Sequence, residues 1–150
     1  MLFNKLESGF VGFCCPLANW SRPSRLVSSR LGVTHSAILL GCERFTKHIT
    51  ESATTAMFDA TFGIVPGYLD VLNVRSAQVF NVLCDYKNAV ICVLTVVMSS
   101  RKIDLYKAVL DTFKDLFPNF RPRVSMADWE TSMRKAIAVT WPDTRLLGCR

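Results

Sequence analysis

The spacing of hydrophobic residues changes along this chain, and in the second half it predicts strands followed by helices. Residues 56–66 are mostly apolar or β-branched, which predicts a buried strand. Residues 77–85 and 89–98 predict a second and a third strand, joined by a hairpin turn over residues 85–88. These short connections favour an antiparallel meander, and the third strand, rich in β-branched residues, is expected to be buried on both faces.

After the third strand, the apolar residues recur at helical spacing. A first helix is predicted to start from an N-cap at Ser99 or Ser100 and to end at Pro118. Residues 123–127 and 144–149 predict a fourth and a fifth strand, with a second helix between them. The order β-β-β-α-β-α-β predicts an α/β fold in which helices flank a mixed sheet.

The first third of the chain has a less regular pattern. Residues 19–30 are rich in Ser, Arg and Pro, which predicts a loop or linker. Its arginines and Trp20 are able to contact phosphates and a base, and a solvated loop also accounts for them. The polar residues before Ser52 predict a helix end or a connector. We therefore expect a boundary near Ser52, between a poorly defined segment over residues 1–52 and a domain over residues 53–150.

Composition and charge narrow the range of partners. The chain has 150 residues and a formal net charge of +6, which favours a polyanionic partner, although a soluble basic surface also explains it. No apolar run is long enough to span a bilayer, and the first residues do not form a secretory signal. A reduced intracellular compartment, no membrane and no small-molecule substrate are therefore expected, since the common phosphate-loop and hydrolase motifs are also missing.

The six cysteines form no C-x-x-C pair. Cys84 and Cys92 lie in apolar strand-like runs, where Cys usually packs as a small hydrophobe. No zinc site is expected, because the remaining Cys and His residues do not follow the spacing of a closed tetrahedral site. The candidate zinc ligands considered are Cys14, Cys15, Cys42, His35 and His48.

Asp59 interrupts the apolar pattern of the first predicted strand. An ionised carboxylate among apolar neighbours is costly unless it is paired or binds a cation. A carboxylate on a central strand is also well placed to hold a metal ion, so Asp59 is a candidate metal ligand or catalytic residue. The alternative is a carboxylate at a bulge or turn that accepts hydrogen bonds from backbone N–H groups.

Asp128 follows the fourth predicted strand directly. If that strand pairs beside the first, its C-terminal end lies near Asp59, and the two carboxylates can share one site. Two such carboxylates can hold Mg²⁺ ions that activate a water or a 3′-hydroxyl for attack on a phosphodiester. Asp128 is equally a candidate N-cap of the second helix, and the two roles are compatible.

Three ordered stretches of the chain resemble one protein family. Residues 58–62, FDATF, are similar to the D-[GA]-T-F strand of Mutator-like element (MULE) transposases. Residues 127–130, ADWE, resemble the T-D-[FW]-E motif that opens a helix in that family. Residues 141–142, WP, and 146–149, LLGC, resemble the F-P…GC stretch that follows. The resemblance covers about residues 57–150, and its specificity comes from the order and spacing of the motifs.

The resemblance implies an RNase H-like fold and a DDE-type catalytic core that cleaves and joins DNA with two divalent metal ions. Asp59 and Asp128 correspond to the first and second catalytic carboxylates and would be the ligands of Mg²⁺ or Mn²⁺. Cys149 corresponds to the Cys of the family's GC-x-F-H segment. The implied partner is DNA, the implied location is the nucleus, and a homo-oligomer is possible.

The chain also departs from the family pattern. It ends at Arg150, before the Phe-His of that segment and before the region that carries the third acidic residue, and residues 1–56 lack the family's zinc-finger spacing. We therefore expect a C-terminally truncated fragment that is inactive, or nearly so, as an isolated chain. A non-catalytic DNA- or protein-binding module derived from a transposase, and an unrelated small α/β protein, are the alternatives.

Overall fold

The computed structural model describes residues 5–6, 9–10, 24–30, 33–62 and 78–149. This part of the chain contains nine strands: β1 (Lys5–Leu6), β2 (Gly9–Phe10), β3 (Ser24–Arg30), β4 (Val33–Leu40), β5 (Thr55–Phe62), β6 (Gln78–Tyr86), β7 (Ala89–Met98), β8 (Val124–Ala127) and β9 (Arg145–Gly148). It also contains three helices: α1 (Glu43–Thr50), α2 (Ile103–Leu116) and α3 (Thr131–Thr140).

Seven of these strands form one mixed sheet in the order β3-β4-β7-β6-β5-β8-β9, while β1 and β2 form a separate two-stranded sheet. Within the series β3-β4-β7-β6-β5, each strand runs antiparallel to its neighbours. β8 runs parallel to β5, and β9 runs parallel to β8. The predicted α/β fold with a mixed sheet is confirmed. The antiparallel meander of β5, β6 and β7 followed by two βαβ connections is confirmed as well.

The predicted strands and helices from residue 55 onward are present, and the differences lie at their ends. β5 ends at Phe62 among the described residues, and the predicted break at Pro66 lies outside them. The predicted cap of the first of these helices is wrong, because Lys102 occupies the N-cap of α2. Ser100 instead uses its hydroxyl oxygen to accept a hydrogen bond from the Lys102 N–H, at 3.2 Å.

The β6–β7 hairpin turns at Lys87 and Asn88, which both have positive φ. Two such residues in succession are typical of the tight turn whose twist matches that of the flanking strands. The prediction that β7 is buried on both faces is wrong at its start, where Ala89 and Val90 are exposed. It is also wrong further along the strand, where Val96 and Met98 are buried but Thr95 and Val97, which point to the opposite face, are only half-buried.

The loop predicted for residues 19–30 is wrong over Ser24–Arg30, which forms β3 at the edge of the sheet. The segment before it, including Trp20, lies outside the described residues. β4 pairs with β7 through four residues, from Ala37 to Leu40. The expected boundary near Ser52 falls between α1 and β5, and this pairing joins both sides of it in one sheet.

The three helices pack on one face of the sheet. On α2, the Tyr106 ring meets Phe80 edge-on at 5.3 Å, and Trp141 after α3 contacts Phe58 at 5.8 Å. On α1, the buried Thr46 hydroxyl donates to the backbone oxygen of Val93 on β7, at 2.7 Å. Alternate strand residues therefore form the core, because successive side chains of a strand point to opposite faces.

The opposite face of the sheet carries side chains that are only half-buried, and no described helix packs on it. Those on the central strands are Met57, Val79, Asn81, Leu83, Thr95, Val97, Val124 and Met126. Within the described residues, the two faces of the sheet therefore differ in burial. The side chains under α1–α3 are buried, and those on the opposite face, called the open face below, are half-buried. No helix in the described part of the chain combines the length and apolar character needed to cross a membrane.

Candidate functional site

Asp59 and Asp128 are brought together by the parallel pairing of β5 and β8. In that pairing Phe58 lies opposite Ala127, so each aspartate directly follows one member of a paired position. Neighbouring strands lie about 4.8 Å apart, so the two aspartates occupy adjacent positions at the C-terminal ends of the paired segments. β8 does pair beside β5, which is the condition on which the expected proximity of the two residues depends.

Asp59 is not buried among apolar side chains, and the expectation of a costly buried carboxylate is wrong. Its side chain is exposed, while its neighbour Phe58 is 2% exposed and belongs to the core. The cause is the alternation of β5, which points Phe58 toward the helices and Asp59 toward the open face. The alternative of a bulge or turn is also wrong, since Asp59 pairs regularly with Asn81 inside β5. Thr61 donates a long hydrogen bond of 3.4 Å to its carboxylate.

Asp128 is also exposed, and it is not the N-cap of α3. Glu130 takes that position, and Asp128 accepts a hydrogen bond from the adjacent backbone N–H of Trp129, at 2.6 Å. Both predicted site residues therefore have carboxylates exposed to solvent, next to the last paired position of β5 and β8. Exposed carboxylate oxygens with room for water are suitable ligands for a hard divalent cation such as Mg²⁺.

Glu130 is the third carboxylate of this region, and its side chain does not cap the helix that it begins. It accepts a hydrogen bond of 3.3 Å from the Tyr106 hydroxyl, which in turn accepts one of 2.7 Å from the amide of Gln78. Partial burial raises the pKa of the Glu130 carboxyl, and the nearby charge of Asp128 raises it further, while Tyr106 and Arg101 act in the opposite direction.

The Gln78–Tyr106 pair connects the site to the core. Both side chains are fully buried, and burial raises the pKa of the Tyr106 hydroxyl strongly. The amide nitrogen of Gln78 lies 3.6 Å from the sulfur of Met98, and its carbonyl oxygen has no partner among the described residues. A buried hydroxyl requires hydrogen-bond partners. The Tyr106 hydroxyl has two, since it accepts from Gln78 and donates to Glu130.

Arg134 holds the C-terminal ends of β8 and β9. Its guanidinium donates hydrogen bonds to the backbone oxygens of Leu147 at 3.0 Å and Ala127 at 3.4 Å. The same group lies 4.9 Å from the centre of the Trp129 ring. Gly148 lies against that ring so closely that a methyl group at its Cα would overlap it. The strand ends beside Asp128 are therefore fixed by side-chain contacts as well as by the sheet.

Within the ranges that the structure describes, no group of three or more His, Cys, Asp or Glu residues is arranged to hold a metal ion. Asp59 and Asp128 fit a divalent cation by their chemistry and exposure, but two carboxylates leave most of the coordination to water. Tight oxygen sites for such cations use more protein ligands than these two carboxylates supply.

The cysteines differ from one another in exposure. Cys84 is buried, as expected, and burial raises its thiol pKa to about 12. The same expectation for Cys92 is wrong, because its thiol is exposed. Cys149 is exposed just after β9, where its backbone N–H donates to the oxygen of Ala127 at 2.9 Å. Cys14 and Cys15 lie outside the described residues.

Sequence reasoning did not single out Glu130, Tyr106, Gln78 or Arg134 as residues of this region. Tyr106 was part of an apolar helical stripe, and only the structure shows that its hydroxyl faces Glu130. Arg134 had no signal, because its role depends on two strand ends that are distant in sequence. Glu130 did have a signal in the sequence, because it is an acidic residue only two positions after Asp128.

Comparison with known proteins adds no assignment. No protein-family model matches the chain, and none of the curated proteins is significantly similar to it. The functional argument therefore rests on the geometry of the site and on the motif resemblance.

Proposed function

We propose that this chain derives from the catalytic core of a MULE-type DNA transposase, with an RNase H-like fold. The observation that carries the proposal is the adjacent placement of Asp59 and Asp128, directly after the last paired position of the parallel strands β5 and β8. These two residues come from two of the ordered motifs that carry the resemblance. Their meeting in space is what a shared catalytic site requires.

The strand order supports the same proposal. The sequence β7-β6-β5-β8-β9 places an antiparallel meander beside two strands that run parallel to its first strand. This is the arrangement expected of an RNase H-like core, with three antiparallel strands and then βαβ units. The first carboxylate lies on the central strand β5, which is held on both sides by β6 and β8.

In the proposed reaction, the carboxylates of Asp59 and Asp128 would hold the divalent metal, Mg²⁺ or Mn²⁺. Bound metal of this kind supplies an activated nucleophile and stabilises the leaving oxygen of a phosphodiester. The protein contributes rigid positions, since β5, β8 and the Arg134 contacts hold the two carboxylates against the sheet edge. DNA is the proposed substrate, and the nucleus is the proposed location.

We further propose that the isolated chain is inactive or nearly so. The described residues provide two exposed carboxylates, Asp59 and Asp128, and in this proposal a third metal ligand comes from elsewhere. The half-buried apolar side chains beside Asp59, such as Met57 and Met126, leave room there for another segment or a second copy to pack. A homo-oligomer is compatible with this arrangement.

A binding module derived from such a core is the second candidate function. It is favoured by the net charge of +6 and by the lack of a third metal-ligating group in the described part of the chain. Such a module would bind DNA through phosphates without needing Asp59, Asp128 or metal.

Mn²⁺ binding tests the proposed metal site directly. The fraction of bound Mn²⁺ is measured by electron paramagnetic resonance for the wild type, Asp59→Asn, Asp128→Asn and Asp143→Asn. Asp143 is the matched control, because it is exposed and precedes β9 at the opposite edge of the sheet. We expect weak wild-type binding that falls about tenfold or more in the first two variants and is unchanged in the third. Equal binding by all four proteins would exclude the site.

DNA binding separates the two candidate functions. Fluorescence anisotropy with a duplex oligonucleotide, over a series of salt concentrations, is expected to show an affinity that falls steeply with salt. The binding module predicts that a double Asp59→Ala, Asp128→Ala variant binds as well as the wild type, with or without Mg²⁺. The catalytic core predicts that Mg²⁺ strengthens binding by the wild type and not by the double variant. A DNA affinity that does not change with salt concentration would contradict both candidate functions.

A further inference from the structure

Trp129 is an exposed aromatic residue beside the candidate site. It directly follows Asp128, and 65% of its surface is exposed. The other described tryptophan, Trp141, is 5% exposed and packs between Phe58 and Phe120. Core packing therefore explains Trp141 and does not explain Trp129.

The Trp129 ring is held in place despite its exposure. Gly148 lies against the ring, and Arg134 covers part of it while being tied to the backbone oxygens of Ala127 and Leu147. These contacts leave most of the residue open to solvent. An aromatic surface that is already ordered loses little conformational entropy when a ligand stacks on it.

A shallow groove adjoins this ring along the first turns of α3. Its lining consists of Trp129, Thr131, Arg134, Lys135 and Ala138. It combines one aromatic ring and two cations with a hydroxyl, and no carboxylate belongs to it. Lys135, Thr131 and Ala138 are exposed, so the groove is accessible. A ligand that suits this lining has a flat aromatic part and a negative charge.

We infer that Trp129 and this groove form a stacking subsite for an unpaired base of single-stranded nucleic acid, with Lys135 contacting an adjoining phosphate. The inference rests on the proposed function for the class of partner and adds the strand state and the position of contact. A base in a duplex already stacks on its neighbours, so an isolated ring at the protein surface selects a base that is unpaired. Aromatic side chains that stack on bases are a common means of binding single strands.

The position of Trp129 gives the contact a consequence for the site. The nucleotide stacked there lies beside Asp128, the residue that directly precedes Trp129. Trp129 is thus a positioning residue for the nucleic-acid strand and has no role in bond making. Arg134 supports it by holding the ring, and Lys135 adds a charge-dependent contact that is independent of base identity.

The test compares intact and abasic oligonucleotides. A labelled single strand and a series of strands with one abasic position are titrated with wild-type protein, Trp129→Ala and Trp129→Tyr, and the affinity is read by anisotropy at low salt. We expect the wild type to lose about tenfold in affinity for one abasic position, because a stacked base contributes on the order of a tenfold change or more. Trp129→Ala is expected to bind the intact strand about tenfold more weakly and to respond little to the abasic position.

The conservative variant and a charge variant sharpen the result. Trp129→Tyr keeps an aromatic face, so it is expected to retain most of the affinity and the abasic response. Lys135→Gln is expected to weaken intact and abasic strands equally and to lower the salt dependence by about one phosphate contact. Unchanged unfolding curves for each variant show that the fold is intact.

Two results would overturn the inference while leaving the proposed function in place. One is an affinity of Trp129→Ala for the intact strand equal to that of the wild type, and the other is an abasic response that persists in Trp129→Ala. Absence of any nucleic-acid binding by the wild type would overturn the inference and the proposed DNA partner together. Loss of Mn²⁺ binding in the carboxylate variants is independent of both, so the failures can be told apart.

Discussion

At the scale of single residues, the end of β8 brings together carboxylates that have different surroundings. Asp128 is exposed, whereas Glu130, two residues later, is partly buried against the hydroxyl of Tyr106. The difference follows from the chain turning between β8 and α3, which points one side chain out and the other toward α2. The burial of Glu130 is the main reason that the pKa of its carboxyl is raised.

The raised pKa of Glu130 predicts a specific pH dependence of stability. Because the neutral form is favoured in the folded state, the wild type loses stability as the pH rises from about 4.5, the ordinary value, through the raised folded pKa. Glu130→Gln lacks this titration and can still accept the bond from Tyr106. As the pH rises above about 4.5, we therefore expect the melting temperature of Glu130→Gln to increase relative to that of the wild type.

Differential scanning fluorimetry from pH 4 to pH 8 measures this effect. Glu51→Gln is the control, since it removes the same charge from an exposed residue near α1. If the melting temperatures of the wild type and Glu130→Gln changed with pH in the same way, the raised pKa of Glu130 would be contradicted.

The contact between Gly148 and Trp129 predicts a coupling between the two positions. Gly148→Ala places a methyl group where the ring now lies, and Arg134 opposes movement of the ring, so a loss of about 1–2 kcal/mol is expected. In a Trp129→Ala background the same change costs nothing or stabilises, because Ala suits a strand end better than Gly. Urea unfolding followed by circular dichroism measures both, and equal costs in the two backgrounds would contradict the contact.

At the scale of elements, the β6–β7 hairpin is specified locally except at its turn. Lys87 has a φ of 46° and Asn88 a φ of 65°. Asn accepts such values well, whereas Lys pays a steric cost for them. The turn therefore keeps the predicted position without having the most favourable residues for its geometry.

Replacing the turn by Asn-Gly is predicted to stabilise the protein. The double substitution Lys87→Asn, Asn88→Gly supplies the preferred pair for this turn, and we expect a gain of about 1 kcal/mol in the free energy of unfolding. Asn119→Gly is the control, since Asn119 lies in the turn after α2 without a positive φ, and there the added backbone freedom destabilises. Urea unfolding distinguishes the two, and a loss of stability in the first variant would refute this turn geometry.

At the scale of the whole molecule, the sheet buries one face under three helices and leaves the other less covered in the described ranges. Val82 and Leu83 are neighbours on β6 that point to opposite faces. Val82 is fully buried, whereas Leu83 is only half-buried. The smaller side chain therefore contributes more to the core than the larger one.

This asymmetry predicts an inverted order of truncation costs. Val82→Ala is expected to cost about 2 kcal/mol, because it opens a cavity under the helices. Leu83→Ala removes more atoms, yet we expect a cost below about 1.5 kcal/mol, because its side chain is already partly hydrated. Chemical unfolding of the two variants measures both costs. A larger cost for Leu83→Ala would mean that the second face is as well packed as the first.

The amino-acid sequence by itself determined the type and order of the elements from β5 to β9. The change from strand spacing to helical spacing is a local property, and it located β6, β7 and α2 within a few residues. The hairpin turn and the two candidate aspartates were also readable, since each depends on residues close in sequence. The resemblance to MULE transposases remains a prediction.

Tertiary structure alone decided the rest, because pairing and burial depend on residues that are distant in sequence. β3 is rich in Ser and Arg and has no apolar alternation, yet pairing with β4 supplies the backbone hydrogen bonds that make it a strand. The face on which the helices pack exposed Asp59 and buried Phe58, and the same packing brought Tyr106 to Glu130 and Arg134 to the ends of β8 and β9.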